Sequence, residues 1–522
     1  MKFIIHIAIL TLVFTGCANK HSGINGLTNS DKTNPRIAED VSSPLPDTCF
    51  TSASEIEFVI DIMSDSSAGT IYNLSDLYAK APGALTFRNG AFRQADFGGR
   101  ISGTPDTIIV DWMFETNVDT TETSFGKWGG GTGWTGQPLY IEWPDSCVYS
   151  FRKNGTLTKD FNKKEIIFAS LSGNIYFLNF ENGKESRENI NVSNPIKGTP
   201  SLDPTLNGNL YVGQGIPAHY PFGALTINLF THNITQVFDK DNTAWRGWGA
   251  YDSSPLRIGQ FLFRPGENNT FYKYFVKPGN LTLHSKLRYK ISGAAPGIES
   301  SMCSYLNYGY ICDNHGNIIC LNLNNLKPVW LYKLGDDIDA TPVLEIEDGK
   351  PYLYVGCEVD KQGAGEARFV KLDGINGNKI WQTAIEGKRV DIYEKHFDGG
   401  FYASALPGYG NCSHLIFSNC VRNTKGQNGE LVVFNKKSGN IEYSVPLKYY
   451  SWSSPVGFIN ENNEMFILTG DSAGNLYLIN GISGKVLTTC KIGSNFESSP
   501  VVSGNSAVIG SRGRHIFKVS IH

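Results

Sequence analysis

The sequence predicts an all-β protein: a single eight-bladed β-propeller of four-stranded antiparallel blades, closed by an N-terminal strand that completes the last blade. Three observations predict it. A hairpin pattern recurs along the chain, as in GNIYFLNFENGKES from Gly173, GNIICLNLNNLKPVWLY from Gly316, GELVVFNKKSGNIEYSV from Gly429 and GNLYLINGISGKVLTTC from Gly474. A small-residue anchor opens each unit, at Pro138, Pro200, Pro255, Ser301, Pro342, Ala405, Pro455 and Pro500. The chain stops one strand short of a last unit, and a matching strand with a Trp, DTIIVDWMFET (Asp106 to Thr116), stands before the first anchor.

Each element has a physical reason. Alternation of apolar and polar residues gives a strand one buried face, and Gly or Asn at the turn supplies the positive φ of a tight hairpin. Anchors roughly 40–60 residues apart fit a blade of four strands with loops of varied length. Small residues suit the crowded axis where inner strands converge. Pairing the early strand with the last unit leaves no exposed sheet edge. Seven blades stay open as an alternative, because the Ser301 and Ala405 anchors lack Pro. With 56 Gly, 12% aromatic and only 18% charged residues, the composition is that of a turn-rich β protein. A formal net charge of −3 without any basic run excludes nucleic acid as the expected partner.

The N-terminus reads as an address. Met1-Lys2 precedes an apolar run, Phe3 to Phe14, that is too short to span a bilayer, and VFTGC follows. This resembles a bacterial lipobox. It implies removal of residues 1–16 as a signal peptide and lipidation of Cys17. Residues 17–50, rich in Asn, Ser, Thr and Lys, are expected to be a disordered tether. Residues 51–85 are expected to be a short appendage with a modest helical pattern in EIEFVIDIM and LSDLYAKA, and residues 86–522 the propeller. The expected location is the bacterial cell envelope, at the outer membrane. The body would be a monomer in the periplasm or on the surface, touching membrane through lipid alone.

Cys303 and Cys312 flank the turn in CSYLNYGYIC symmetrically and form the candidate disulfide. No Cys-x-x-Cys or Cys/His cluster suggests a metal, no Ser-His-Asp set can be assembled, and GKWGGGTGWTG lacks the spacing of a phosphate loop. No catalytic residue is assigned.

The copies GNLYLINGISGKVL, GELVVFNKKSGNIEY, VKLDGINGNKIWQT and GNIICLNLNNLKPVW, each leading toward Ser/Thr-Pro-Val, resemble the pyrroloquinoline-quinone-like (PQQ-like) propeller repeat over about residues 86–522. The resemblance implies the fold; the superfamily holds both quinone-dependent dehydrogenases and cofactor-free scaffolds. The dehydrogenases usually place adjacent cysteines and a Ca²⁺ site of Glu, Asn and Asp at the quinone. No two cysteines are adjacent here, and no such ligand set can be matched. No cofactor is therefore expected, PQQ with Ca²⁺ being the alternative.

A functional site is expected where the chain crosses from one blade to the next, around one mouth of the central channel. The crossing segments hold Trp128, Trp134, Trp245, Arg246, Trp248, Tyr251, Asp252, Glu299, Asp339, Asp398, Tyr402, Trp452 and Glu497, with Asp337 beside them. Trp suits stacking on a sugar ring or a partner side chain. Trp112, Trp330 and Trp381, on outer strands, are expected to pack between blades. The favoured function is a binding or scaffold module for a polypeptide or a glycan at this mouth. The alternative is an envelope enzyme, either a PQQ-dependent dehydrogenase or a polysaccharide hydrolase or lyase.

Overall fold

Eight sheets follow one another around an axis, their innermost strands being Leu139–Glu142, Ser201–Leu202, Leu256–Ile258, Cys303–Tyr305, Val343–Glu347, Leu406–Pro407, Val456–Ile459 and Val501–Ser503. Each begins within a few residues of an anchor, so eight blades are present and the seven-blade alternative falls. Blades are numbered here in that order. The computed structural model describes residues 44–64, 71, 77–134, 136–361, 364–392 and 395–522, within one compact unit. Cys17 and the expected signal peptide lie outside the described residues.

Closure is as expected. Ile108–Glu115 pairs antiparallel with His515–Ile521 and completes blade 8. The outer-strand aromatics staple neighbouring blades. Trp112 donates its indole N–H to Phe180 O at 2.9 Å, Trp330 to Gly374 O at 3.2 Å and Trp381 to Lys436 O at 2.8 Å. Each indole lies on a glycine of the next blade's turn. A Cβ on Gly439 (φ +76) would sit 2.6 Å from the Trp381 ring, so both the positive φ and the space require glycine.

The anchors are small for a second reason besides crowding: their hydroxyls join the blades. The backbone N–H of Ser254 donates to Ser301 Oγ (2.8 Å), Ser301 to Thr341 Oγ1 (3.0 Å), Thr341 to Ser404 Oγ (3.1 Å), Ser404 to Ser454 Oγ (3.0 Å) and Ser454 to Ser499 Oγ (3.0 Å). This chain of bonds satisfies main-chain donors at the buried axis, where no ladder partner is available.

The axis itself is filled by residues 83–101. Gly83–Ala84 pairs with Tyr140 and Ile141 of blade 1, and Leu85 O accepts from Leu202 N of blade 2. Ala91 and Phe92 carbonyls accept from Ser304 and Leu344 N–H of blades 4 and 5, while Arg100 and Ile101 bond Gly504 and Ile459 of blades 8 and 7. Arg93 Nη2 donates to Ser254 O (3.0 Å) at blade 3 and Arg88 Nη2 to Ala405 O (2.5 Å) at blade 6. One segment thus reaches all eight blades, and two of its arginines, Arg88 and Arg93, are fully buried.

Three expectations are corrected. Cys303 and Cys312 are both free thiols. The hairpin register puts Cys303 opposite Tyr310, and Cys312 opposite Ile318 on the next strand, so the two thiols are not cross-strand partners. The EIEFVIDIM stretch is a strand, Ile56–Ile62, paired with Ser285–Ile291 as a fifth strand on blade 3. The long fourth strand there, Asn280–Ile291, offers an open edge that outweighs weak helical periodicity. The end of the expected tether is docked: Leu45 N donates to Asn307 Oδ1 at 2.7 Å, and Tyr308 OH to Pro46 O at 2.8 Å.

Candidate functional site: an acidic mouth with an aromatic wall

The crossing segments precede the anchors, so they ring one mouth of the filled channel. Each first strand runs away from this mouth and each second strand returns to it. Residues just past a second strand therefore join the crossing segments. Asp252 and Glu299, before blades 3 and 4, meet Glu267 at the end of blade 3's second strand, Phe261–Gly266. Their carboxylate oxygens lie within 4.8 Å of one another. Asp337 and Asp339, before blade 5, meet Glu358 at the same spacing, past the second strand Lys350–Gly356. Asp339 interacts electrostatically with Glu299 and Asp252, which joins the two groups into one arc.

The arc is under-compensated. Glu267 Oε1, Asp337 Oδ1, Asp339 Oδ1 and Glu358 Oε1 are buried with no hydrogen-bond partner. Three basic groups stand against six carboxylates: Lys197, ion-paired with Asp252, Arg246, whose Nη1 donates to Glu267 O at 2.9 Å, and Lys361, whose charge acts on Asp337. Burial, then the charges of Asp339 and Glu299, push the Asp337 carboxyl up to about 10. Burial and neighbouring carboxylates likewise raise Glu267, Asp339 and Glu358 well above the usual carboxylate range. Like charges this close cannot all ionise, so the arc holds protons or a cation.

Beside the arc stands an aromatic wall. Tyr402 and Trp452 stack at 5.0 Å, Trp134 meets Tyr402 edge-on at 6.2 Å, and Tyr450 lies 5.4 Å from Trp452. The Trp452 indole N–H is buried without an acceptor. Lys197 lies 5.9 Å from the Trp134 ring and connects wall to arc. Asp398 and Glu497 each meet an arginine, Asp398 at 3.4 Å from Arg389, which also pairs with Asp360, and Glu497 at 3.7 Å from Arg512.

Four expected site residues stand apart from this arrangement. Trp128 packs under Arg512 (5.4 Å), and Trp245 under Arg288 and Lys290 of blade 3's outer strand (5.4 and 5.0 Å). Trp248 packs on Phe125 at 5.0 Å, and Tyr251 is buried against Tyr272. Glu267, Glu358 and Lys197 were not singled out from sequence. The first two carry a usable signal, since each acid closely follows a strand that must return to the mouth.

The residues can be tested against the group the fold suggests. PQQ is a planar tricarboxylate and needs cations around it. Here the mouth offers six carboxylates, and Lys197 and Arg246 are already engaged. The donor set fits a cation and does not fit an anionic quinone on its own.

No protein-family model and no curated protein matches the chain. Solved structures do. A quinohemoprotein alcohol dehydrogenase from Comamonas testosteroni is similar at TM-score 0.58 and 12% identity, covering 85% of this chain and 82% of its own. A europium-containing methanol dehydrogenase is similar at TM-score 0.53 and 11% identity, covering 85% and 99%. BamB from Moraxella catarrhalis is similar at TM-score 0.47 and 14% identity, covering 70% and 95%. At these identities the likeness concerns the fold, and this chain has the eight-bladed architecture of PQQ-like propellers.

Proposed function

We propose that the protein is a non-catalytic binding propeller whose mouth takes a basic segment of a polypeptide, with Lys or Arg side chains on the acidic arc and apolar groups on the Trp134, Tyr402 and Trp452 wall. The observation that carries this is the convergence of buried, unpaired carboxylate oxygens on Glu267, Asp337, Asp339 and Glu358. A cationic ligand supplies the charge the arc lacks, and buried charge pairs with stacked aromatics are the usual anchors of an interface. The filled axis makes the mouth a closed bowl, so a ligand docks in it rather than threading through. Lipidation of Cys17 would hold this bowl at the envelope membrane. Among the described residues no helix is long and apolar enough to cross a membrane.

The test uses tryptophan fluorescence with the mature chain. Peptides of matched length rich in Lys/Arg or in Asp/Glu are titrated against wild type and Trp452→Ala. Saturable quenching by the basic peptide alone, weakened at least tenfold in the variant, is expected. Binding of neutral glycans in place of basic peptides would move the reading to a glycan ligand. Tight uptake of PQQ with Ca²⁺ and dye reduction would replace it with the dehydrogenase alternative.

A further inference from the structure

Arg264 lies on the second strand of blade 3 and is 1% exposed. None of its Nε, Nη1 and Nη2 has a hydrogen-bond acceptor. The other buried basic side chains among the described residues all meet one. Arg88 and Arg93 donate to carbonyls, Arg187 to Glu165, and Lys273 to the Leu323 and Asn324 carbonyls. Arginine cannot shed its proton at any ordinary pH, so this charge is not relieved by titration. An unmatched buried charge is among the most costly features a core can hold.

The surroundings point to what would match it. Alternation places Arg264 on the face of its strand shared with Leu262, toward blade 2, among the rings of Tyr211, Tyr251, Tyr272 and Tyr274. Its guanidinium carbon is 5.9 Å from the Tyr251 ring and 6.0 Å from the Phe238 ring. Thr226, two residues from Ala224 and so on blade 2's matching face, has a fully buried Oγ1 that is also unpaired. The nearby carboxylates are committed elsewhere. Asp241 takes Lys286 Nζ at 2.6 Å and Tyr272 OH at 3.0 Å, and Asp203 takes Tyr211 OH at 2.6 Å. A surface cavity of about 270 Å³ is lined by Tyr251 and Asn268, with Lys240 and Arg246 among its walls. Tyr251 borders both this cavity and the cage, so one side chain separates the guanidinium from the cavity.

We propose that the space between blades 2 and 3 binds a small monovalent anion of halide size, held by the guanidinium of Arg264 and the hydroxyl of Thr226. Three guanidinium nitrogens without an acceptor and an unpaired O–H favour negative charge there. The committed Asp203 and Asp241 disfavour a divalent anion. The site is independent of the acidic mouth and of its proposed ligand.

The test is thermal unfolding of the full chain at fixed ionic strength, exchanging sodium gluconate for sodium chloride or bromide, with wild type, Arg264→Met and Thr226→Val. A saturable rise of a few degrees is expected in wild type, shallower in Thr226→Val and lost in Arg264→Met. Bromide-soaked wild-type crystals read the site without any variant, through an anomalous peak between blades 2 and 3. A wild-type melting temperature indifferent to halide, or water in place of bromide, overturns the proposal. So does a halide response that survives in Arg264→Met.

Discussion

Asp337 and Asp339, two residues apart in the crossing to blade 5, bring their carboxylate oxygens within 4.8 Å of each other and of Glu358. Alternation should turn residues i and i+2 to the same side of an extended segment, and here that side is the channel mouth. The pair concentrates negative charge in a place where Glu299 and Asp252 already supply it.

This relationship makes stability depend on pH in a definite direction. A carboxyl raised in the folded state favours folding while protonated. Its penalty is absent below the ordinary value of 3.8 for Asp and grows as pH rises, for Asp337 up to about 10. In chelator-treated buffer the melting temperature is expected to fall between pH 5 and pH 9. The double variant Asp337→Asn, Glu267→Gln should flatten that slope and be more stable than wild type at pH 9. Calorimetry across this range checks it; a wild-type slope of the opposite sign contradicts the charge assignment.

A divalent cation should act on the same groups. Millimolar Ca²⁺ at pH 8 is expected to raise the wild-type melting temperature with release of protons, and to compete with the basic peptide. The response should vanish in Asp337→Asn combined with Glu358→Gln. Proton release measured in weakly buffered solution distinguishes binding at the arc from adsorption elsewhere.

The stapling of blades gives a stability prediction. Trp381 is buried on Gly439 with its N–H on Lys436 O. Trp381→Ala should cost about 3–5 kcal/mol, as for a large aromatic removed from a core. Denaturant unfolding with an unchanged slope and a lower midpoint is the expected record.

At the axis, Arg93 donates to Met302 O, Thr86 Oγ1, Phe87 O and Ser254 O at 2.8–3.0 Å. Arg93→Met removes the donors and strands these acceptors, at about 1–3 kcal/mol for each one left unsatisfied. A loss of several kcal/mol, or failure to accumulate folded protein, is expected. A near-neutral change would show that the filled axis is not what joins the blades.

Much of this was legible in the chain, for identifiable reasons. Strand alternation, turn glycines and anchors are local and periodic, so the blades, the closing strand at Trp112 and the Trp330 and Trp381 staples could be read directly. The Ser301 and Ala405 anchors left seven blades open only because they lack proline; what the axis requires is a small residue, with Ser or Thr just before or at that position to accept from the neighbouring blade. Ile56–Ile62 was misread as helical because an added edge strand depends on a partner over 200 residues away. The symmetry of CSYLNYGYIC suggested a disulfide, but register depends on the turn, and a two-residue offset separates the thiols. At the mouth, Asp252, Glu299 and Asp339 were visible because crossing segments stand out from the repeat. Glu267 and Glu358 were hidden, since their role follows from strand direction rather than local composition. Trp245 and Trp248 looked like site residues on glycine-rich flanks, yet Arg288, Lys290 and Phe125 cover them.

The central claim is that unpaired carboxylates at the mouth select a cationic polypeptide. Its most direct measurement is calorimetric titration of a Lys/Arg-rich decapeptide into wild type and into the Asp337→Asn, Asp339→Asn pair, at two salt concentrations. Saturable one-to-one binding to wild type, weakened at least tenfold in the variant, is the predicted result. Equal affinity in both proteins, or tighter binding of an acidic peptide, would contradict it.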